Sequence, residues 1–407
     1  VVTNITGVRI NSLSYFQDRA ADANSRNLGA SLDAIETVEA AEDETAAQRD
    51  QRLAEIQRRR DFKAAMDGAD MRPFMPVSQS YIAQMNSEML SNMNNVQMFR
   101  LNAVADAKRA SQAARAQGEG GAAKQAARAP ARGYAAELQS VNMLGSQDGG
   151  ANAGGYDFWS VGGVAAIERD FGDSFFGGLS LGGIYNKVDG NDGADATSTN
   201  FLLNLYGLYT AKSMPLDVFL NLGYSHGWNE TSRQTPLGVA ESDYDSNSFY
   251  SLGGVAWTFA DLGVKGLSVK PMLAYSFAYS HTDSQDETGA GFHNASLSGD
   301  DFTNFKTLLG VEVKYDILSD LSAAVRAFWS HEFCDRSYDV GYRIAEGAPF
   351  MNEAVFCGEE SGRDAAVLGL GLNYRFSERL SAFADYSATV RDGYSGHAFS
   401  LGAQFKF

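Results

Sequence analysis

The sequence predicts an all-β membrane protein: a twelve-stranded antiparallel transmembrane β-barrel with an N-terminal α-helical segment and a helix threading the pore. Three observations lead to this prediction. Apolar and polar residues alternate in the segments after residue 133, the connections between these segments are short and long in turn, and the chain stops on Phe407. Alternation with period two is typical of strands that have one lipid-facing and one lumen-facing side.

The last segment shows the alternation most clearly. Its apolar face is formed by Phe399, Leu401, Ala403, Phe405 and Phe407. The residues between them are Ser, Gly, Gln and Lys. We expect the apolar face to meet lipid, and Gln404 and Lys406 to point inward. A soluble β-sandwich also alternates, so this pattern needs support from the connections.

Twelve strands are predicted to begin near Gly133, Tyr156, Ser174, Thr197, Leu216, Ser246, Leu267, Phe302, Leu321, Ala365, Leu380 and Ser395. The long, polar connections are predicted at 147–155, 190–196, 229–245, 282–301 and 341–363. Short turns separate the other strands. Short turns at one rim and long loops at the other are typical of an outer-membrane barrel. The last strand should pair with the first, because an open sheet edge in lipid leaves backbone groups unsatisfied.

The first 132 residues predict helices. We divide them into a helical junction (1–74) on the surface side after a missing passenger, a pore-threading helix (75–116) and a basic low-complexity linker (117–132), followed by the barrel (133–407). Between residues 77 and 105 the charged residues are Glu88 and Arg100. This composition suits either an amphipathic core helix or a helix in a polar lumen. In the second case residues 80–104 lie inside the barrel, with their C-terminal end at the short-turn rim.

Charge and cysteine content narrow the function classes. A net charge of −17 argues against binding nucleic acid, because phosphate contacts require excess Lys and Arg. The chain begins with Val and has no signal-peptide pattern, which predicts a processed or excised piece of a longer protein. Cys334 and Cys357 flank a long connection, and we predict a disulfide if they face each other across one hairpin at the cell surface.

Several stretches of the barrel resemble the autotransporter β-domain of type V secretion. They are 326–333, 362–372, 382–386 and 397–402, followed by the terminal Phe407. The resemblance implies a translocator unit in the outer membrane of a Gram-negative-type bacterium, which supports export and anchoring of an N-terminal passenger. It implies as partners the outer-membrane lipid, the upstream passenger, the barrel-assembly machinery and periplasmic chaperones. It also implies a monomeric barrel and an assembly signal in the last strand (Phe399, Leu401, Ala403, Phe405, Phe407). The residues themselves show no Cys/His spacing typical of a structural zinc site and no cofactor motif, so neither a metal nor a cofactor is expected.

Some members of this family cut themselves at an Asn-Asn pair in the pore helix, and Asn94 and Asn95 occupy that place here. An acid in the lumen would have to polarise the reacting amide. The alternative is that both amides hydrogen-bond the lumen wall. The polar and charged residues expected in the lumen are Arg100, Glu312, Arg326, Glu332 and Asp385.

Two further functions remain open from the sequence. A barrel enzyme of protease or lipase type would need a convergent Ser/His/acid cluster, for which the residues available are His281, Asp283, Ser284, Asp286 and His293. A plugged porin would have a lumen closed by folded-in loops. The export unit predicts instead a helix that runs through the lumen.

Overall fold

The computed structural model describes residues 23–33, 44–66, 74–116, 133–150, 153–260, 262–334, 337–345 and 351–407. Three helices precede the strands: α1 (Ala23–Asp33), α2 (Ala46–Met66) and α3 (Val77–Ala116). Pro76 lies immediately before α3, where its missing N–H costs no helical hydrogen bond. Within these ranges, none of the helices combines the length and apolar character needed to span a membrane.

The strands in the described ranges are β1 (Tyr134–Gln147), β2 (Tyr156–Asp170), β3 (Phe175–Gly190), β4 (Ala194–Thr210), β5 (Leu216–Thr235), β6 (Gly238–Trp257), β7 (Phe259–Ala260), β8 (Leu267–Thr282), β9 (Gln285–Asp286), β10 (Ala295–Leu297), β11 (Asp300–Asp316), β12 (Leu321–Glu332), β13 (Val340–Ile344), β14 (Ala354–Phe356), β15 (Asp364–Arg375), β16 (Leu380–Arg391) and β17 (Tyr394–Lys406). Twelve of them form one closed antiparallel sheet in the order β1-β2-β3-β4-β5-β6-β8-β11-β12-β15-β16-β17, with β17 paired back to β1. The predicted barrel and its strand number are confirmed.

The closing pair joins the two ends of the sheet. Leu138 faces Ala403 across it, and the backbone N–H of Phe407 donates to the carbonyl of Tyr134 at 2.9 Å. Phe399, Leu401, Phe405 and Phe407 are exposed on the outer face, as predicted. Gln404 is buried in the lumen, and Lys406 lines the lumen opening. The barrel therefore has no edge left in the apolar zone.

The two rims differ in their connections. One rim, the short-turn rim, carries 171–174, 211–215, 317–320 and 376–379, with 258–266 as its longest connection. The other, the long-loop rim, carries the extended connections 148–155, 283–299 and 333–363. The long loops predicted at 190–196 and 229–245 are wrong. There the strands continue to a turn at 191–193 and a two-residue turn at 236–237, because inward and outward residues keep alternating past the apolar band.

The core lies between α3 and the inner barrel wall. The apolar residues of α3 that pack there include Ile82, Met85, Leu90, Met98 and Phe99. Small wall residues make room for large ones on neighbouring strands. A Cβ atom at Gly223 would lie 2.2 Å from the ring of Tyr250, which is fully buried. Along the N-terminal and middle parts of α3, the lumen is thus packed with polar and apolar layers.

A second, smaller structure stands on the long-loop rim. Strands β9 and β10 from the connection 283–299 and strands β13 and β14 from the connection 333–363 form a separate antiparallel sheet in the order β14-β13-β10-β9, which we call the surface sheet. Helices α1 and α2 share an apolar core with this sheet. We call the surface sheet together with α1 and α2 the cap.

Candidate functional site

The helix α3 runs through the lumen from the long-loop rim to the short-turn rim. Near its N-terminus, the hydroxyl oxygen of Tyr81 lies 2.8 Å from the carbonyl oxygen of Gly154 and 2.7 Å from Asp192 Oδ2, in two connections of the long-loop rim. Near its C-terminus, Lys108 Nζ donates to Asp170 Oδ1 at 2.6 Å and to the Gly172 carbonyl at 2.7 Å, at the short-turn rim. The predicted course and direction of the pore helix are those of the structure.

The middle of α3 contacts the wall through uncharged amides. Asn86 donates to Asn229 Oδ1 at 3.0 Å and accepts from Asn186 and Asn200 at 2.9 and 3.3 Å. These groups are buried, so each hydrogen bond offsets the desolvation of two polar groups. Since both partners are neutral, the layer satisfies polar groups without burying charge.

Charged contacts lie at the height of these amides and below them. Glu88, which lies between Asn86 and Asn94 on α3, is within 3.3 Å of Lys306 Nζ and 2.7 Å of Arg391 Nη2, with all three side chains nearly buried. Closer to the short-turn rim, Arg100 Nε lies 2.5 Å from Glu137 Oε2 and Arg100 Nη2 lies 3.1 Å from Glu168 Oε2. The acids that Arg100 meets lie on β1 and β2, whereas Glu312 and Glu332, which were also expected in the lumen, lie on β11 and β12.

Glu312, Arg326 and Asp385 form a network within the wall. Arg326 bridges the two acids, with its Nε 2.6 Å from Glu312 and its Nη1 2.7 Å from Asp385. The guanidinium also lies over the ring of Phe99 on α3, 4.1 Å from the ring centroid. Lys270 extends the network from Glu312 to Asp106 of α3, at 3.5 and 2.6 Å. The helix is therefore tied to the wall on this side through Phe99 and Asp106.

The last turns of α3 are held at the short-turn rim. Arg109 binds Asp217 with two nitrogens, at 2.9 and 3.1 Å, in a bidentate pair with fixed geometry. Gln112 donates to the carbonyl of Asp173 at 2.7 Å. Beside this end of the helix the lumen keeps a cavity of about 520 Å³, which is lined by α3 and by wall residues including Asp320, Arg375 and Lys406. The lumen here is wider than one helix.

A family model for the autotransporter β-domain matches residues 138–387, which is more than half of the chain. The chain belongs to the autotransporter β-domain family. It is the translocator unit of an autotransporter and resides in the outer membrane, so its exposed apolar band faces lipid. In such barrels the short turns are periplasmic and the longer loops extracellular, which places the long-loop rim at the cell surface.

A solved structure has a similar fold. The chain is similar to the translocator domain of the autotransporter NalP from Neisseria meningitidis, with 14% identity, a TM-score of 0.60, and coverage of 81% of this chain and 99% of that one. A further similar structure is the β-domain of the Bordetella autotransporter BrkA, with 15% identity and a TM-score of 0.49 over 68% of this chain and 100% of that one.

A curated relative extends well beyond the match. An extracellular serine protease from Serratia marcescens is 22% identical over 279 residues, which are 66% of this chain. The chain spans about a quarter of the length of that relative, since the match covers 25% of it.

The autotransporter β-domain carries the candidate Asn-Asn pair in the amide layer. Asn94 donates to the Ser251 carbonyl at 3.1 Å and to Ser276 Oγ at 2.9 Å, and its Oδ1 accepts from Asn221 at 3.3 Å. These partners are neutral. Among the acids expected in the lumen, Glu312 and Asp385 bind Arg326, and Oε1 of Glu332 accepts from the backbone N–H groups of Phe305 and Cys334 at 2.9 Å. The structure thus matches the alternative in which Asn94 bonds the lumen wall.

Cys334 and Cys357 do not form the predicted disulfide. Their supposed position across one hairpin is wrong. Cys334 follows β12 at the barrel rim, whereas Cys357 follows β14 of the surface sheet, and β13 and β14 lie in the chain between them. Burial raises the pKa of the Cys357 thiol, with Asp339 acting in the same direction.

The residues considered for a barrel enzyme do not form one cluster. His281 lies on the outer face, 2.8 Å from Asp301 and 3.7 Å from Asp283, whereas the ring of His293 packs edge-on against Phe74, with ring centroids 4.6 Å apart. Within the described ranges, no group of three or more His, Cys, Asp or Glu side chains is arranged to hold a metal ion. His331 lies on the outer wall and pairs with Asp364 at 2.8 Å.

Sequence reasoning missed much of the network that seats the helix. The missed residues are Asp106, Glu137, Glu168, Asp217, Lys270, Lys306 and Arg391. A usable signal was present in the alternation: the charged members of the wall occupy inward positions of their strands. A charge at an inward position of a barrel strand predicts a partner in the lumen, because an unpaired buried charge is costly. Which wall charge meets which residue of α3 depends on the position of the helix along the barrel axis.

Proposed function

We propose that this translocator domain supports export of an upstream passenger and then keeps the passenger connected to the cell surface, with α3 closing the lumen behind it. The observation that carries the proposal is the course of α3. A chain that enters the lumen at the long-loop rim and leaves it at the periplasmic short-turn rim has its upstream part outside the cell. The Serratia marcescens relative, named an extracellular serine protease, has most of its length outside the match, which supports a larger precursor here.

The layers along α3 support a two-stage role. Neutral amides in the middle can exchange one hydrogen-bonding partner for another while a chain passes. The ion pairs of Glu88, Arg100 and Arg109 form at three heights, and all three are satisfied together in one register of the helix. Replacing a buried ion pair by apolar residues is often neutral for stability, and in some proteins a buried polar group is retained because it selects one register. We infer that they define where export stops.

Surface display tests the proposal. An epitope tag fused upstream of residue 1 should be accessible to antibody on intact cells. A matched control carries the same tag between Ser319 and Asp320 in a short turn, and that tag should become accessible after permeabilisation of the outer membrane. An upstream tag that stays inaccessible on intact cells while the barrel is inserted would contradict the proposal.

We also propose that the last strand is the assembly signal recognised by the barrel-assembly machinery, after delivery by periplasmic chaperones. Its apolar face (Phe399, Leu401, Ala403, Phe405, Phe407) is exposed along its length, and Phe407 N–H closes the barrel on Tyr134. Replacing Phe407 with Ser should lower the amount of inserted barrel, whereas Phe376→Ser in a short turn should not. Equal insertion of both variants would reject this role.

A further inference from the structure

Strand β14 is an edge of the surface sheet, and helix α1 covers it. An exposed edge strand presents unpaired backbone N–H and C=O groups that can recruit another strand. Here the backbone groups meet side chains of α1. The Asn24 amide makes two hydrogen bonds with Cys357, donating to its carbonyl at 3.0 Å and accepting from its N–H at 2.6 Å. Asn24 therefore pairs with the strand as a neighbouring backbone would.

Two more side chains of α1 continue this pairing. Asn27 donates to the carbonyl of Val355 at 2.8 Å, and Ser31 donates to the carbonyl of Asn352. Residues 24, 27 and 31 follow the spacing of one helical face, so a single face of α1 follows the edge of the sheet. The contact is specific to this orientation of the helix.

Apolar side chains complete the contact. Leu28 and Leu32 of α1 are fully buried, and Phe62 and Met66 of α2 are nearly so. They share one core with sheet residues that include Leu297, Tyr342, Ile344 and Phe356. Phe62 packs against Phe292, with ring centroids 5.6 Å apart. These partners all belong to the connections 283–299 and 333–363 of the barrel.

From these contacts we propose that the surface sheet is a receptor for helices α1 and α2, which holds the upstream polypeptide on the barrel independently of its covalent link through α3. The inference rests on the proposed function, because the upstream segment has to reach the cell surface before it can dock. Its consequence is that a passenger cut away between α2 and α3 remains on the cell, anchored through the cap.

A cut in the full-length chain tests this. A recognition sequence for a site-specific protease is inserted between residues 70 and 71, an epitope tag is fused upstream of residue 1, and protease is added to intact cells. Tag accessibility before the cut reports export. The tagged fragment that stays on washed cells after the cut reports docking. We expect retention of most of the fragment after complete cutting.

Paired variants sharpen the test. Leu28→Ala and Leu32→Ala should each speed release of the cut fragment by on the order of 30-fold or more, since truncating a buried leucine costs at least about 2 kcal/mol and about 1.4 kcal/mol corresponds to a factor of ten. Leu53→Ala, at an exposed position of α2, is the matched control and should leave retention unchanged.

A crosslink covers the case in which a leucine variant fails to fold. Asn27 Nδ2 lies 3.6 Å from Cys357 Sγ, so Asn27→Cys in a Cys334→Ser background should form a disulfide with Cys357 under mild oxidation and tie the cut fragment to the barrel. Asn27→Ser in the same background should give no crosslink. Release of the unsubstituted fragment by washing, or failure of the Asn27→Cys crosslink on cells that display the tag, would overturn the proposal. An inaccessible tag before the cut would instead count against export.

Discussion

The lumen and the cap both hold parts of the N-terminal segment, but they do so with different chemistry. In the lumen, α3 combines apolar packing with amide hydrogen bonds and with buried ion pairs such as Arg100–Glu137. In the cap, α1 and α2 bury apolar side chains against the surface sheet, with a few hydrogen bonds from Asn24, Asn27 and Ser31 at its edge. The buried ion pairs make the lumen contact selective for one register of α3, whereas the contact of α1 and α2 with the surface sheet is mainly a hydrophobic core.

The difference follows from where each part forms. Ion pairs at distinct heights of the lumen are all formed together in one register of α3, because each charge has to meet its own partner. Apolar packing is non-directional and stabilises many registers alike, so it suits a structure that assembles after the chain has left the pore. The two regions should therefore respond differently to substitution.

The largest effect is expected from breaking a charge in the lumen. Arg100→Met leaves Glu137 and Glu168 buried without their cation, and the loss of one partner of a buried pair costs about 3–5 kcal/mol. We expect a lower thermal unfolding midpoint by circular dichroism and a higher ion conductance in planar bilayers, as α3 loosens. Arg58→Met on α2, where the side chain is 61% exposed, is the control. Partial recovery on adding Glu137→Gln and Glu168→Gln would locate the effect in the unpaired acids. An unchanged unfolding midpoint would show that the ion pair does not stabilise the barrel.

Truncation in the cap should be nearly as costly but local. Leu297→Ala on β10 removes a buried side chain, which costs about 2–5 kcal/mol. Limited proteolysis on intact cells should then cut the cap faster, while the conductance of the barrel stays as it was. Leu237→Ala, at the exposed tip between β5 and β6, should change neither measurement. If conductance rose together with cap proteolysis, the lumen and the cap would unfold as one unit, which would contradict the independent responses expected for them.

The amide layer should tolerate a single substitution, and it should not cleave the chain between Asn94 and Asn95. Asn94→Ala removes hydrogen bonds to Ser276 and Asn221, and we expect a loss of about 1–3 kcal/mol in stability. Because Asn94 is bonded to neutral groups, the chain should remain intact between Asn94 and Asn95. Mass spectrometry of the purified, membrane-inserted protein checks this, and a fragment that ends at Asn94 would restore self-cleavage.

The smallest effect is a pH dependence of the cap. Burial, together with the nearby Arg233, lowers the pKa of His293 below its usual value of 6.5. The unfolded cap then binds more protons than the folded one, so the contribution of His293 is complete above pH 6.5 and decreases as the pH falls below that value. Cap proteolysis should speed up on acidification, and His293→Phe should flatten this dependence. A cap that gained protection at low pH would show the sign to be wrong.

The sequence by itself determined the barrel, its strand number, its closure at Phe407 and the course of the pore helix. Alternation and connection length are local signals, and a closed sheet with one apolar face is the arrangement that satisfies both in lipid. The loop predicted at 229–245 was wrong, because β5 and β6 continue there as polar strands above the membrane. Their residues alternate between inward and outward positions, but the polar composition resembles that of a loop and hides this alternation.

The tertiary structure decided which side chains meet. Arg100 was placed in the lumen from its sequence, but its partners Glu137 and Glu168 follow from the rotation and height of α3, which local patterns do not encode. The cap was likewise invisible, because β10 and β13 are short segments in two separate connections that pair over a long chain distance. Cys334 and Cys357 were expected to meet because they flank one long connection. They do not meet, because this connection contributes β13 and β14 to the surface sheet, and Cys357 is hydrogen-bonded to Asn24 of α1 instead.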